Sequence, residues 1–128
     1  MKKTVALTML ISFQAAASDS CFKEKYLPGI NNCIKEKIEN NQVKLTSEYQ
    51  KIENHFKSSE DHESYLKDIQ KNRQEWSEVT TKFCDLQSYF VDKETITYEI
   101  QFNQCINEKI KHQTSEISNL YQIISSMM

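Results

Sequence analysis

From Ile34 onward the apolar positions of the chain recur at helical intervals. Ile34, Ile38, Leu45, Tyr49, Ile52 and Phe56 are separated by steps of four, seven, four, three and four, which puts them on one face of a helix with 3.6 residues per turn. The spacing predicts a first helix, capped by Asn31 or Asn32 and running to about Lys57. Ser58, Ser59 and Asp61 supply the next start signal. Beyond them Tyr65, Ile69, Asn72, Trp76, Val79, Phe83, Leu86 and Phe90 alternate in steps of four and three. They form one stripe along a second helix of about eight turns, suited to packing at a shallow angle.

A third stripe follows at Ile96, Ile100, Asn103, Ile106, Ile110, Gln113, Ile117, Leu120 and Ile124. The β-branched run ETITYEI, Glu94 to Ile100, suits a strand, but no partner strand is visible elsewhere, so an irregular start to a third helix is expected. Asn72, Asn103 and Gln113 interrupt the stripes. They are either buried groups that set register or members of a solvated seam, the second being the commoner arrangement.

Composition sharpens this picture. The single Pro and the single Gly of the chain are the adjacent Pro28 and Gly29, read as a turn before the first helix, and the usual turn punctuation is missing after them. Long helices with short polar loops are therefore expected, in an all-α three-helix bundle built from antiparallel helical hairpins. Trp76, Phe83 and Ile69 of the second stripe and Ile106 of the third are expected in its core. Cys84 stands beside Phe83 at the stripe's edge, where a disulfide reaches a neighbouring helix with Trp76 and Phe83 beneath it.

The N-terminus MKKTVALTMLISFQAAAS has two lysines, a short apolar run and small residues ending at Ala15-Ala16-Ala17. It reads as a signal peptide over residues 1–17, too short and too interrupted to anchor the chain in a membrane. Cys21 follows Ser18, Asp19 and Ser20, which lack the aliphatic residue expected before a lipidated cysteine. A single domain, residues 18–128, remains for the periplasm or the medium. Loss of Lys2 and Lys3 leaves 14 basic residues against 18 acidic ones, a formal net charge of −4. That offers no basic face for nucleic acid.

All four cysteines, Cys21, Cys33, Cys84 and Cys105, lie in the exported part. An even count in a chain of this size predicts two disulfides, whereas a zinc site wants close cysteine pairs. The three histidines, His55, His62 and His112, belong to no catalytic motif. His62, within EDHE, reads as part of a solvated charged helix start. No catalytic, cofactor or metal-binding residue is assigned, and the chain reads as a non-enzyme. For a recognition surface the polar segments Ser58 to Glu63 and Asp92 to Thr97 stand out as loops on a rigid scaffold. Val43, Tyr98, Phe102 and Tyr121 are left over from the stripes, and they suit a dimer face or a second edge of the core; oligomeric state is not set by the sequence.

The cysteine frame, with Leu45 and Tyr49 after the second cysteine, Trp76 eight before the third, and Thr114 and Ile117 after the fourth, resembles the LprI-type lysozyme-inhibitor family over nearly all of residues 18–128. Arg73 stands where that family usually has glutamine, Thr80 where it has arginine, and residues 85–104 lack its loop glycine. The resemblance implies a small secreted helical domain with disulfides that binds an exported protein partner, a lysozyme among them. An immunity or adaptor protein for another exported partner suits the same scaffold. Spacing alone admits two pairings: Cys21 with Cys33 and Cys84 with Cys105, or Cys33 with Cys84 and Cys21 with Cys105. The resemblance favours the first.

Overall fold

The computed structural model describes residues 20–57 and 60–127. The signal reading of residues 1–17, and Ser58 and Ser59 of the second start signal, lie outside these described residues. Three α-helices carry the fold: α1 (Leu27–Phe56), α2 (Glu63–Gln87) and α3 (Ile96–Met127), with short 3₁₀ turns at Ser20–Lys23 and Glu60–His62. There is no strand among the described residues.

The start of α1 differs from expectation. The Pro28-Gly29 pair is not a turn but part of the first helical turn, entered from extended Tyr26. Proline is tolerated there because the first N–H groups of a helix have no intrahelical acceptor to lose. Asn31 consequently sits inside the helix and caps nothing. It is buried, and its amide donates to Glu99 Oε2 at 3.0 Å while its carbonyl oxygen accepts from Asn103 at 3.0 Å.

Contacts along the chain fix the topology. Asn31 meets Asn103, Asn41 donates to Asn107 at 2.7 Å, and Gln113 donates to the Tyr49 hydroxyl at 3.2 Å. The numbers rise together, so α1 and α3 run parallel, and α2 returns antiparallel alongside their seam in an up-down-up bundle. The α1–α3 seam alternates these amide pairs with apolar layers of Ile34, Leu45, Ile52, Ile110 and Ile117, all buried. Gln113 and Asn103 are thus bonded groups within the seam, while Asn72 is exposed. Buried amides of this kind are tolerated because each finds a partner, and they penalise a slipped register.

Helix α2 departs most from its apolar pattern. Ile69 is buried in the main core cluster, and Trp76 and Ile106 pack against that cluster half-buried. Phe83, expected in the core, is 47% exposed, and Val79 and Leu86 lie at 66% and 67%. The buried line instead follows Thr80, Cys84 and Ser88. A 3.5-residue stripe drifts by roughly 20° per heptad on a straight helix, so over the three heptads from Tyr65 to Leu86 its far end swings about 60° off the core. Close approach completes the effect. The Cα atoms of Cys84 and Cys105 are 5.6 Å apart, a spacing that the small side chains at Thr80, Cys84 and Ser88 permit and a Phe ring does not. Helix α2 also stops at Gln87, so Phe90 lies in the turn beyond it.

Two disulfides staple the bundle, Cys21–Cys33 and Cys84–Cys105, which is the local pairing. The first holds the N-terminal 3₁₀ turn on α1 in a small cluster with Ile30 and Ile34. The second joins α2 to α3. Each closes a short loop and stabilises the fold by about 3 kcal/mol in the chain-entropy account.

Candidate functional site

The three helices meet at Tyr49. Its ring is fully buried, its hydroxyl accepts from Gln113 of α3, and the Arg73 guanidinium of α2 lies 4.3 Å from the ring centroid. Arg73 also donates to Thr46 Oγ1 at 3.1 Å. Arg73 and Thr80 are thus both inward features: Arg73 ties α2 to α1, and Thr80 fills the tight crossing with α3.

What the drift of α2 leaves outside is an apolar face. Val79, Phe83 and Leu86 stand on it, with Tyr89 and Phe90 in the following turn. Two clefts run along the α2–α3 seam beside it. One, of about 610 Å³, is bordered by Phe22, Phe83, Ile100, Gln101, Gln104 and Lys109. The other, of about 580 Å³, is bordered by Trp76, Val79, Phe83, Lys109, His112 and Ile117. Phe83 and Lys109 form the partition between them, with the ammonium 4.3 Å from the ring centroid. Trp76 therefore has one side against the core and one on a cleft. Such clefts with scattered polar groups suit contact with a protein or small amphipathic group.

The turn from α2 into α3 is tightly bonded. Ser88, fully buried, donates its N–H to the carbonyls of Cys84 and Asp85, Tyr89 N–H reaches Leu86, and Val91 N–H reaches Ser88 at 3.0 Å. Thr95 caps α3: its hydroxyl accepts from Tyr98 N–H at 3.3 Å and donates to the Asp92 carbonyl at 2.6 Å. This cap is why ETITYEI is helical from Ile96, and Thr95 three residues before Tyr98 was the readable signal for it. The Tyr98 hydroxyl donates to Asp85 Oδ1 at 2.6 Å, and Lys93 approaches the same oxygen at 3.4 Å. The Tyr98 bond holds the Asp85 carboxyl below the ordinary range, against an opposing effect of burial and with Lys93 assisting. The same bond raises the Tyr98 phenol.

The segments singled out for recognition fall at opposite ends of the bundle. Glu60–His62 precedes α2 and Asp92 to Thr95 follows it, so about 37 Å of helix separates them at 1.5 Å per residue. They do not make one surface. The His62 ring packs on Phe56 with centroids 4.8 Å apart, and His112 pairs with Glu116 at 3.4 Å. Among the described residues no three His, Cys, Asp or Glu side chains are grouped as metal ligands. Of the leftover residues, Tyr121 packs against the core, Tyr98 and Phe102 stack at 5.8 Å, and Val43 is exposed on α1. The exposed turn aromatics were assigned inward or passed over in the sequence because apolar character alone does not tell which face a side chain takes.

Two disulfides accord with an oxidising, extracytoplasmic compartment, and no helix among the described residues is long and apolar enough to cross a membrane. No curated protein and no solved structure matches the chain. One family profile, described as Lysozyme inhibitor LprI, matches residues 17–117, a span that contains all four cysteines, α1, α2 and most of α3. The chain belongs to the LprI lysozyme-inhibitor family.

Proposed function

We propose that the protein is an exported inhibitor that binds a basic, lysozyme-type peptidoglycan hydrolase and slows its action. The observation that carries this reading is the family match across both disulfide-linked segments. Export through a signal over residues 1–17 leaves an acidic domain, formally −4, whose charge speeds its encounter with a basic enzyme. The rigid bundle presents an apolar face and two clefts on one side, a form suited to binding a folded partner.

The test is direct association between the oxidised protein and a basic animal-type lysozyme, with a bacterial peptidoglycan hydrolase in parallel. Saturable one-to-one binding is expected with at least one of them, faster at low salt because exposed charges are screened beyond about 8 Å at physiological ionic strength. Absence of binding to both enzymes at every salt concentration rejects the reading.

A further inference from the structure

The most exposed aromatic among the described residues sits in a tightly hydrogen-bonded turn. Phe90 is 97% exposed, yet the backbone around it is fixed by the Ser88, Tyr89 and Val91 bonds, by the buried Ser88, and by the Cys84–Cys105 disulfide shortly before it. Tyr89 braces it edge-on, with ring centroids 5.2 Å apart. A Phe held this way contributes nothing to the core. It is presented to solvent on a backbone whose ordering entropy is already spent, which lowers the cost of using it as an interface anchor.

The charges of the turn point to the kind of partner. Phe90 is followed by Asp92, Lys93 and Glu94, all exposed. Lys93 is drawn back to Asp85, and Asp92 and Glu94 then leave the rim of the anchor acidic. An acidic rim around an apolar tip matches an apolar recess in a positively charged surface.

We infer that the Ser88–Glu94 turn, with Phe90 at its tip, is the part of this inhibitor that seats in an apolar recess on the positively charged surface of a basic, lysozyme-type enzyme. The inference rests on the inhibitor reading above. Leu86 and Tyr89 extend the contact, and the disulfide and the Tyr98–Asp85 bond hold the turn in its binding form.

The experiment measures inhibition of a basic animal-type lysozyme by the oxidised protein and by Phe90→Ala, Phe83→Ala and the Asp92→Asn/Glu94→Gln pair, with melting temperature and sedimentation recorded for each. Phe90→Ala is expected to keep its melting temperature and to weaken inhibition on the order of thirtyfold, as for the loss of a central anchor. The charge variant should slow association several-fold at low salt and converge with the wild type at high salt. If Phe90→Ala inhibits like the wild type, the inference is overturned while the inhibitor reading stands. A loss confined to Phe83→Ala overturns it too, and moves the contact to the α2–α3 clefts. A wild-type dimer that Phe90→Ala dissociates with inhibition unchanged would show that a second copy covers the turn. If the wild type itself does not inhibit, both readings fall together.

Discussion

The Tyr98 hydroxyl, 2.6 Å from Asp85 Oδ1, joins the first turn of α3 to the last turn of α2 across the loop that carries Phe90. Its effect on stability has a definite pH signature. Asp85 is lowered in the folded state, so its contribution is complete above the unfolded carboxyl value near 3.8 and is lost as pH falls through the lower folded value. Tyr98 is raised, so its contribution is complete below the unfolded value near 10.0 and is lost as pH rises through the folded one. Tyr98→Phe should therefore lower the melting temperature most near neutral pH, with the gap to wild type narrowing at both extremes. A gap independent of pH would mean that the bond is not the source of the effect.

At the junction of the three helices, Arg73→Ala removes a hydrogen bond to Thr46 and a cation over the Tyr49 ring. A loss of about 1–2 kcal/mol is expected from denaturant unfolding. Tyr49→Phe leaves the buried Gln113 amide without its partner and should cost about 1 kcal/mol. Because Tyr49 touches both other helices, through its bond from Gln113 and the Arg73 cation over its ring, the double variant should lose less than the sum of the two, and simple additivity would argue against coupling there.

The contrast between Trp76 and Phe83 tests the geometry of α2. Trp76 packs against the core with one side on a cleft, so Trp76→Ala should cost about 2–3 kcal/mol, below the range for a fully buried indole. Phe83, on the outer face, should cost less than about 1 kcal/mol on truncation to Ala. The reverse order in thermal unfolding would return Phe83 to the core.

How far the sequence could be read follows from which physical signals are local. The stripes of α1 and α3 are legible because Ile34 to Phe56 and Ile96 to Ile124 keep one face inward throughout. On α2 the same apolar spacing misleads, because burial there is decided by how closely Cys84 approaches Cys105, a tertiary fact, and small residues win the contact. Pro28 reads equally well as a turn former or as a first-turn residue, and only the fold chooses between them. The clefts were hidden for the same reason, since they depend on the rotation of α2 about its own axis, and the outward Phe90 was hidden because the helix stops at Gln87, short of the stripe's last position.

Disulfide pairing has its own chemical readout. Trypsin acting on an unreduced sample prepared from Ser18 onward should link SDSCFK to YLPGINNCIK, and FCDLQSYFVDK to ETITYEIQFNQCINEK. Any mass-spectrometric cross-link between the two sets contradicts the fold. Reduction removes about 3 kcal/mol per bridge and loosens the Phe90 turn from α3, leaving the Tyr98–Asp85 bond to hold it, so inhibition should be lost with the fold of the reduced protein.

The most direct measurement of the central claim is the rate of peptidoglycan lysis by a basic animal-type lysozyme against increasing oxidised protein, at low and at physiological salt. The account predicts a rate that falls to a plateau as the protein reaches stoichiometry with a tightly bound enzyme, with no effect from a reduced sample. An unchanged lysis rate at a tenfold molar excess, with this enzyme and with a bacterial peptidoglycan hydrolase, would contradict it.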